Sequence, residues 1–222
     1  TFHQSYSYED FVEGIRPEVE DKQVTYDIVN GIFKEISKDA HDDPDHEYVL
    51  VIDEINRGNI TKILGELITL IEVDKRTPSQ KTTLPYTHDS FWVPPNLLII
   101  GTMNTADRSI AVIDTALRRR FAFEELMPNY DLKELQKSID GISLKALLKK
   151  LNDRIRAEGV QFRDKQIGHS YFMKVKDLEY LRITFAIEIV PLLQDYFFHD
   201  YKKLEKILNS DFIDSLNYEI KK

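Results

Sequence analysis

Two uninterrupted apolar runs stand out along the chain, Tyr48-Val49-Leu50-Val51-Ile52 and Leu97-Leu98-Ile99-Ile100. Continuous rather than alternating apolarity predicts strands buried on both faces, as in a parallel sheet. Each run ends in polar residues, Asp53-Glu54 after the first and Gly101-Thr102-Met103-Asn104 after the second. Between them Ile60, Leu64, Leu67, Ile68 and Ile71 recur at helical spacing, and Asn59 is placed to cap that helix. Segment 74–96 contains Pro78, Pro85, Pro94 and Pro95, which predicts a hairpin or an irregular insertion. Ser109 can cap a short helix over 110–118, and Phe121-Ala122-Phe123 alternates as a short strand.

Ahead of the first run the pattern is weaker. Segment 5–23, broken by Gly14 and Pro17, predicts a loop after a strand remnant. Segment 24–40 predicts a helix with Tyr26, Val29, Phe33 and Ile36 near one face, followed by a charged loop over 40–46. After Pro128 no strong strand signal remains, and helices are expected over 144–156, 178–198 and 201–208. The chain thus divides into an α/β part, 1–128, and an α-helical part, 129–222.

Composition narrows the class. The 222 residues are 42% hydrophobic and 11% aromatic, which excludes a disordered chain. A formal net charge of −8 argues against non-specific binding to DNA or a membrane surface. Cysteine is absent, which excludes disulfides, cysteine-ligated zinc and thiol catalysis. No apolar run approaches the roughly 20 residues of a membrane span, and no basic-then-apolar leader opens the sequence. A soluble, cytoplasmic protein is expected. Because the sequence starts at Thr1 without Met, it is also expected to be cut from something longer.

Three blocks could carry chemistry. Acids at the C-terminal end of a buried parallel strand lie where open α/β sheets bind ligands. Adjacent Asp53 and Glu54 point to opposite sides, so one can address a Mg²⁺ shell and the other a water, a division that suits phosphoryl-transfer hydrolysis. The same pair also suits a strand-end turn with two solvated acids. Asn104 can both donate and accept, so it can orient water beside a phosphate, or simply close an Asx turn. Arg118, Arg119 and Arg120 can complement a helix dipole, or reach a neighbouring subunit's phosphate.

Taken in order, Asp53-Glu54-Ile55-Asn56-Arg57-Gly58-Asn59, Met103-Asn104-Thr105-Ala106-Asp107-Arg108-Ser109 and Asp114-Thr115-Ala116-Leu117-Arg118-Arg119-Arg120-Phe121 resemble the AAA+ NTPase module. More narrowly they resemble the McrB family, the GTP-hydrolysing motor subunit of modification-dependent restriction systems. His3-Gln4-Ser5-Tyr6-Ser7-Tyr8-Glu9-Asp10-Phe11 is similar to that family too, and so, more weakly, is Ile167-Gly168-His169-Ser170-Tyr171-Phe172. The resemblance implies a mostly parallel sheet flanked by helices, followed by an α-helical lid. Asp53 would hold Mg²⁺ as the Walker B acid, Glu54 would polarise the attacking water, and Asn104 would be the sensor-1 residue. Asn56 would support the same site. Arg119 and Arg120 match the arginine finger that acts in trans, with Arg120 the first choice, and Arg57 and Arg108 are candidates for inter-subunit contacts. His169 lies where such lids approach nucleotide, and equally suits a packing histidine. GTP or ATP, a homo-oligomeric ring and a McrC-like partner nuclease are implied, with DNA reached through other domains and no membrane.

The 222 residues contain no G-x-x-x-x-G-K-[ST] phosphate loop. The family's loop is expected to precede Thr1, together with a strand that would separate the runs at 97–100 and 121–123. The chain alone is therefore expected to be inactive, and the strand at 121–123 to shift against 97–100, or a second copy to fill that edge. The alternative is a degenerate AAA+ module kept for assembly or signalling.

Overall fold

Residues 1–20, 22–106, 115–198 and 200–208 are described by the computed structural model. They fall into two units, Thr1–Phe123 and Glu124–Lys222. In the first unit a one-turn helix α1 (Tyr8–Phe11) leads into an antiparallel ribbon of β1 (Glu13–Glu20) and β2 (Gln23–Asn30), then α2 (Ile32–Asp42). Strand β3 (Tyr48–Ile52), α3 (Ile60–Leu64), the hairpin β4 (Thr82–Thr83) with β5 (Ser90–Phe91), β6 (Leu97–Gly101) and α4 (Thr115–Arg118) follow.

The parallel pair is β3 with β6, in register from Tyr48 opposite Leu97 to Ile52 opposite Gly101. Its burial alternates, which corrects the expectation of two covered faces. Leu50 and Ile52 are buried, whereas Val51 is 58% exposed and Ile100 49% exposed. No described element lies over that second face. Nor does 121–123 form a strand or pair with β6: Phe121 packs on the core instead, and Phe123 lies under the Arg118 guanidinium. The expected repair rested on a buried orphan edge. Leu98, Ile100 and Gly101 are exposed, so the backbone there is open to water and the cost that would drive 121–123 against β6 is absent.

The ribbon corrects two further expectations, a loop over 5–23 and a helix beginning at 24. Register places Ile15 opposite Ile28, Pro17 opposite Tyr26 and Val19 opposite Val24, all six on one face. Arg16 opposite Asp27 and Glu18 opposite Thr25 lie on the other. This period of two wins over the weak helical spacing of Tyr26 and Val29. Both faces are exposed from Ile15 onward. The base of the ribbon is anchored instead. Glu13 is fully buried and accepts from Tyr86 N, Thr87 N, Thr87 Oγ1 and Lys34 Nζ at 2.7–3.1 Å.

Helix α2 presents Phe33, Ser37 and Ala40 to the core at spacings of one and two turns. Burying Phe33 fully is worth about 1.5–3 kcal/mol. Asn59 caps α3 as expected, its Oδ1 accepting from Lys62 N at 3.1 Å. The α-helix stops at Leu64, because Gly65 adopts φ 53°, and continues as a 3-10 turn over Gly65–Thr69.

The second unit opens with a small hairpin, β7 (Ser138–Ile139) and β8 (Ile142–Ser143), turned by Asp140 and Gly141 at φ 48° and 83°. Helices α5 (Leu144–Ala157), α6 (Ser170–Met173), α7 (Leu178–Thr184), α8 (Val190–Tyr196) and α9 (Tyr201–Ile207) follow. The expected single helix over 178–198 is interrupted by a π turn, Phe185–Ile189. Pro191 stands just after it and lacks the N–H that would continue the α-helical ladder. Leu144, Leu148, Leu151 and Ile155 of α5 face Leu181, Phe185 and Ile189 in a separate core.

Candidate functional site

Strand β3 ends at Ile52, and the chain turns sharply through Asp53 and Glu54. Glu54 sits in the left-handed region, φ 54° and ψ 44°, which costs a non-glycine residue roughly 1–2 kcal/mol. Four hydrogen bonds to Thr102, just past β6, hold this turn. Thr102 N donates to Ile52 O and Ile55 N donates to Thr102 O, both at 2.9 Å. Glu54 N donates to Thr102 Oγ1 at 3.3 Å. The same hydroxyl donates to Asp53 Oδ1 at 2.5 Å. The other carboxylate oxygen, Oδ2, accepts from Thr1 Oγ1 at 3.5 Å.

Asn56 is buried beneath the turn, 8% exposed. Its Nδ2 donates to Asn104 O at 3.5 Å, and its Oδ1 has no partner among the described residues. Asn104 closes an Asx turn, Oδ1 accepting from Ala106 N at 3.0 Å. The structure thus brings Asp53, Glu54, Asn56 and Asn104 together at the ends of β3 and β6. Arg57 Nε lies 3.2 Å from Glu54 Oε2, a charge contact without hydrogen-bond alignment. Gly101 lets β6 approach closely here: a Cβ on it would fall 2.8 Å from Ile55 Cδ1.

At the end of α4, Arg119 is exposed, while Arg120 Nε lies 2.8 Å from Glu72 Oε1. Arg108 belongs to 107–114, outside the described residues. His169 is in the second unit, where its Nδ1 accepts from Asn129 N at 3.1 Å, leaving Nε2 as the protonated nitrogen of the neutral ring. On α5, Arg156 pairs with Asp153 and Arg154 Nη1 donates to Ile207 O.

Among the described residues no three His, Asp or Glu side chains cluster as a metal cage. An Asp53 carboxylate with one oxygen committed and the other facing only a long contact fits Mg²⁺ nonetheless. That ion is usually held by one or two carboxylates, with phosphate oxygens and water completing its octahedron.

The sequence pattern of the AAA domain (dynein-related subfamily) matches residues 1–121. The chain belongs to the AAA domain family. Residues 143–205 match the pattern of the McrB alpha-helical lid domain, so the AAA core is followed by a McrB-type lid. The chain is 40% identical over 229 residues to the Type IV methyl-directed restriction enzyme EcoKMcrB subunit of Escherichia coli strain K12, covering 94% of this chain and 48% of that protein. It is 26% identical over 222 residues to the Type II restriction enzyme BsuMI component YdiS of Bacillus subtilis strain 168, covering 88% of this chain and 61% of that protein. The chain therefore spans only part of either relative, about half of the first. Within this McrB-like AAA+ module, sequence reasoning passed over three residues that organise the site and its surroundings: Thr102, Glu72 and Glu13. Thr102 has a detectable signal once β3 and β6 are paired, since the residue after each strand must then lie side by side.

No helix among the described residues is long and apolar enough to cross a membrane.

Proposed function

We propose that this module hydrolyses a nucleoside triphosphate, GTP or ATP, with Mg²⁺, in a homo-oligomeric ring that powers DNA cleavage by a McrC-like partner nuclease in the cytoplasm. Residues 1–128 form the motor core and 129–222 its lid. The observation that carries the reading is the pair Asp53 and Glu54, held in a left-handed turn at the end of β3 with Asn104 alongside. DNA is met through other domains.

Bound Mg²⁺ neutralises phosphate charge and orients the transferred group. Asp53, the Walker B acid, offers Oδ2 to it directly or through water. Glu54 polarises the attacking water and takes up its proton. Asn104 keeps Nδ2 for that water or the terminal phosphate, since its Oδ1 closes the Asx turn. Asn56 supports the Asn104 loop from below. Arg119 and Arg120 form the arginine finger that acts in trans on the neighbouring subunit, Arg119 standing exposed and Arg120 held at Glu72 of its own subunit, and Arg57 and Arg108 serve contacts between subunits. His169, in the lid, is a candidate for nucleotide contact and equally suits a packing histidine.

The test is hydrolysis of GTP and ATP by the full-length protein and its Glu54→Gln variant. Binding should persist and turnover should collapse; normal turnover in the variant overturns the assignment. The 222 residues alone contain no phosphate loop, so calorimetry with Mg²⁺ and either nucleotide should detect no micromolar binding.

A further inference from the structure

The geometry points to Thr102 as the positioning residue that orients both acids of the site through one hydroxyl. This rests on the reading of Asp53 as the metal-holding acid and Glu54 as the acid that polarises water.

A hydroxyl carries one donor and two acceptor lone pairs. Thr102 Oγ1 uses both functions at once. It donates to Asp53 Oδ1 at 2.5 Å and accepts from Glu54 N at 3.3 Å. Its own backbone is pinned on each side, by Ile52 O and by Ile55 N. The backbone that carries the hydroxyl is therefore fixed at the strand ends, and from there the hydroxyl meets both acids.

Two consequences bear on chemistry. Asp53 has one oxygen committed to Thr102, so Oδ2 is the atom presented to the ion and its water shell. Glu54 is kept in a backbone conformation it would not choose. A valine at 102 has the same shape but neither function, so Asp53 can rotate and the Glu54 turn loses one of its ties. Serine keeps both functions.

The experiment uses the full-length protein with Thr102→Val, Thr102→Ser and Asp53→Asn. Metal affinity is read by electron paramagnetic resonance of Mn²⁺ with nucleotide bound, beside Mg²⁺ titrations of turnover and the kcat against KM split. Thr102 is exposed, so the melting temperature should stay near that of the parent and serves as the folding control. Thr102→Val should weaken Mn²⁺ binding by about tenfold, as expected for one hydrogen bond to a charged group. It should lower kcat while leaving KM for nucleotide within about twofold. Thr102→Ser should restore all three quantities. Parent-like Mn²⁺ affinity in Thr102→Val, with Asp53→Asn losing it, overturns the role of Thr102 alone. Parent-like affinity in Asp53→Asn overturns both this role and the metal assignment beneath it. Failure of serine to restore binding also overturns it, because shape rather than the hydroxyl would then be at work.

Discussion

Arg120 turns back onto its own chain, with Nε 2.8 Å from Glu72 Oε1, while adjacent Arg119 stays exposed. Arg120 is only 15% exposed at the side chain and Glu72 31%. A pair this sheltered is screened less than a surface ion pair, so removing either partner costs more than at an open surface. Arg120→Ala and Glu72→Ala should each destabilise the first unit by about 1–3 kcal/mol, and the double variant should lose less than the sum. Arg119→Ala should change stability by less than about 0.5 kcal/mol. In the full-length ring it should nevertheless depress turnover, with rescue on mixing with protomers that retain Arg119. Full turnover in Arg119→Ala assemblies removes it from the trans role.

Glu13 sets a second expectation. Burial pushes its carboxyl up, but Lys34, the Thr87 hydroxyl and the N–H groups of Thr87 and Tyr86 together hold it below the ordinary range. A carboxyl depressed in the folded state adds stability that is fully present above its unfolded value, near 4.3. That stability is lost as pH falls through the lower folded value. The first unit should therefore weaken on acidification below about pH 4.5. Glu13→Gln should cost about 3 kcal/mol at pH 7 and flatten the acid limb, because the buried one of the two charged partners of Lys34, Glu13 and Asp89, is gone. Urea unfolding followed through Trp92, the one tryptophan of the chain, reads this unit directly.

How far the sequence could be read follows from how local each signal is. Strands β3 and β6 and the Asn59 cap are legible because each is written in consecutive residues. The ribbon is not, although Ile15, Pro17 and Val19 alternate with Arg16 and Glu18, and Val24, Tyr26 and Ile28 with Thr25 and Asp27. Gly14 and Pro17 look like breakers, yet a two-stranded ribbon leaves outer backbone groups unpaired and so tolerates proline. At the candidate site the acids and Asn104 are legible as strand-end motifs. Thr102 is not, because its hydroxyl acts on a residue 49 positions away and only the parallel register brings the two together.

In the second unit the most sensitive single position should be Asn152. It is fully buried, and its amide reads the backbone of Ile167 like a paired strand. Oδ1 accepts from Ile167 N at 2.7 Å, and Nδ2 donates to Ile167 O at 3.0 Å and to Tyr130 Oη at 3.1 Å. Asn152→Ala abandons a buried N–H and a buried C=O, each worth about 1–3 kcal/mol, so a loss of about 2–5 kcal/mol is expected. Far-ultraviolet circular dichroism should register it, while Trp92 emission in the first unit stays unchanged. A cost under about 1 kcal/mol shows that water replaces the amide, and the clamp is then unimportant.

The last test separates two pictures of β3. A strand covered on both faces makes every residue of Val49-Leu50-Val51-Ile52 costly to truncate. The observed strand is covered on one face, with Leu50 8% and Val51 58% exposed. Truncating a buried leucine removes transfer energy and leaves a cavity, so Leu50→Ala should cost about 2–5 kcal/mol. Val51→Ala opens no cavity and gives up β-propensity and partial burial, so about 1 kcal/mol or less is expected. The comparison is internal to one strand, which cancels differences in pairing with β6, since Leu50 lies opposite Ile99 and Val51 opposite Ile100. Equal losses in urea unfolding of the 222-residue chain would mean that something covers Val49, Val51, Leu98 and Ile100 in solution. A dependence of the Val51→Ala loss on protein concentration would then identify that cover as a second copy of the chain.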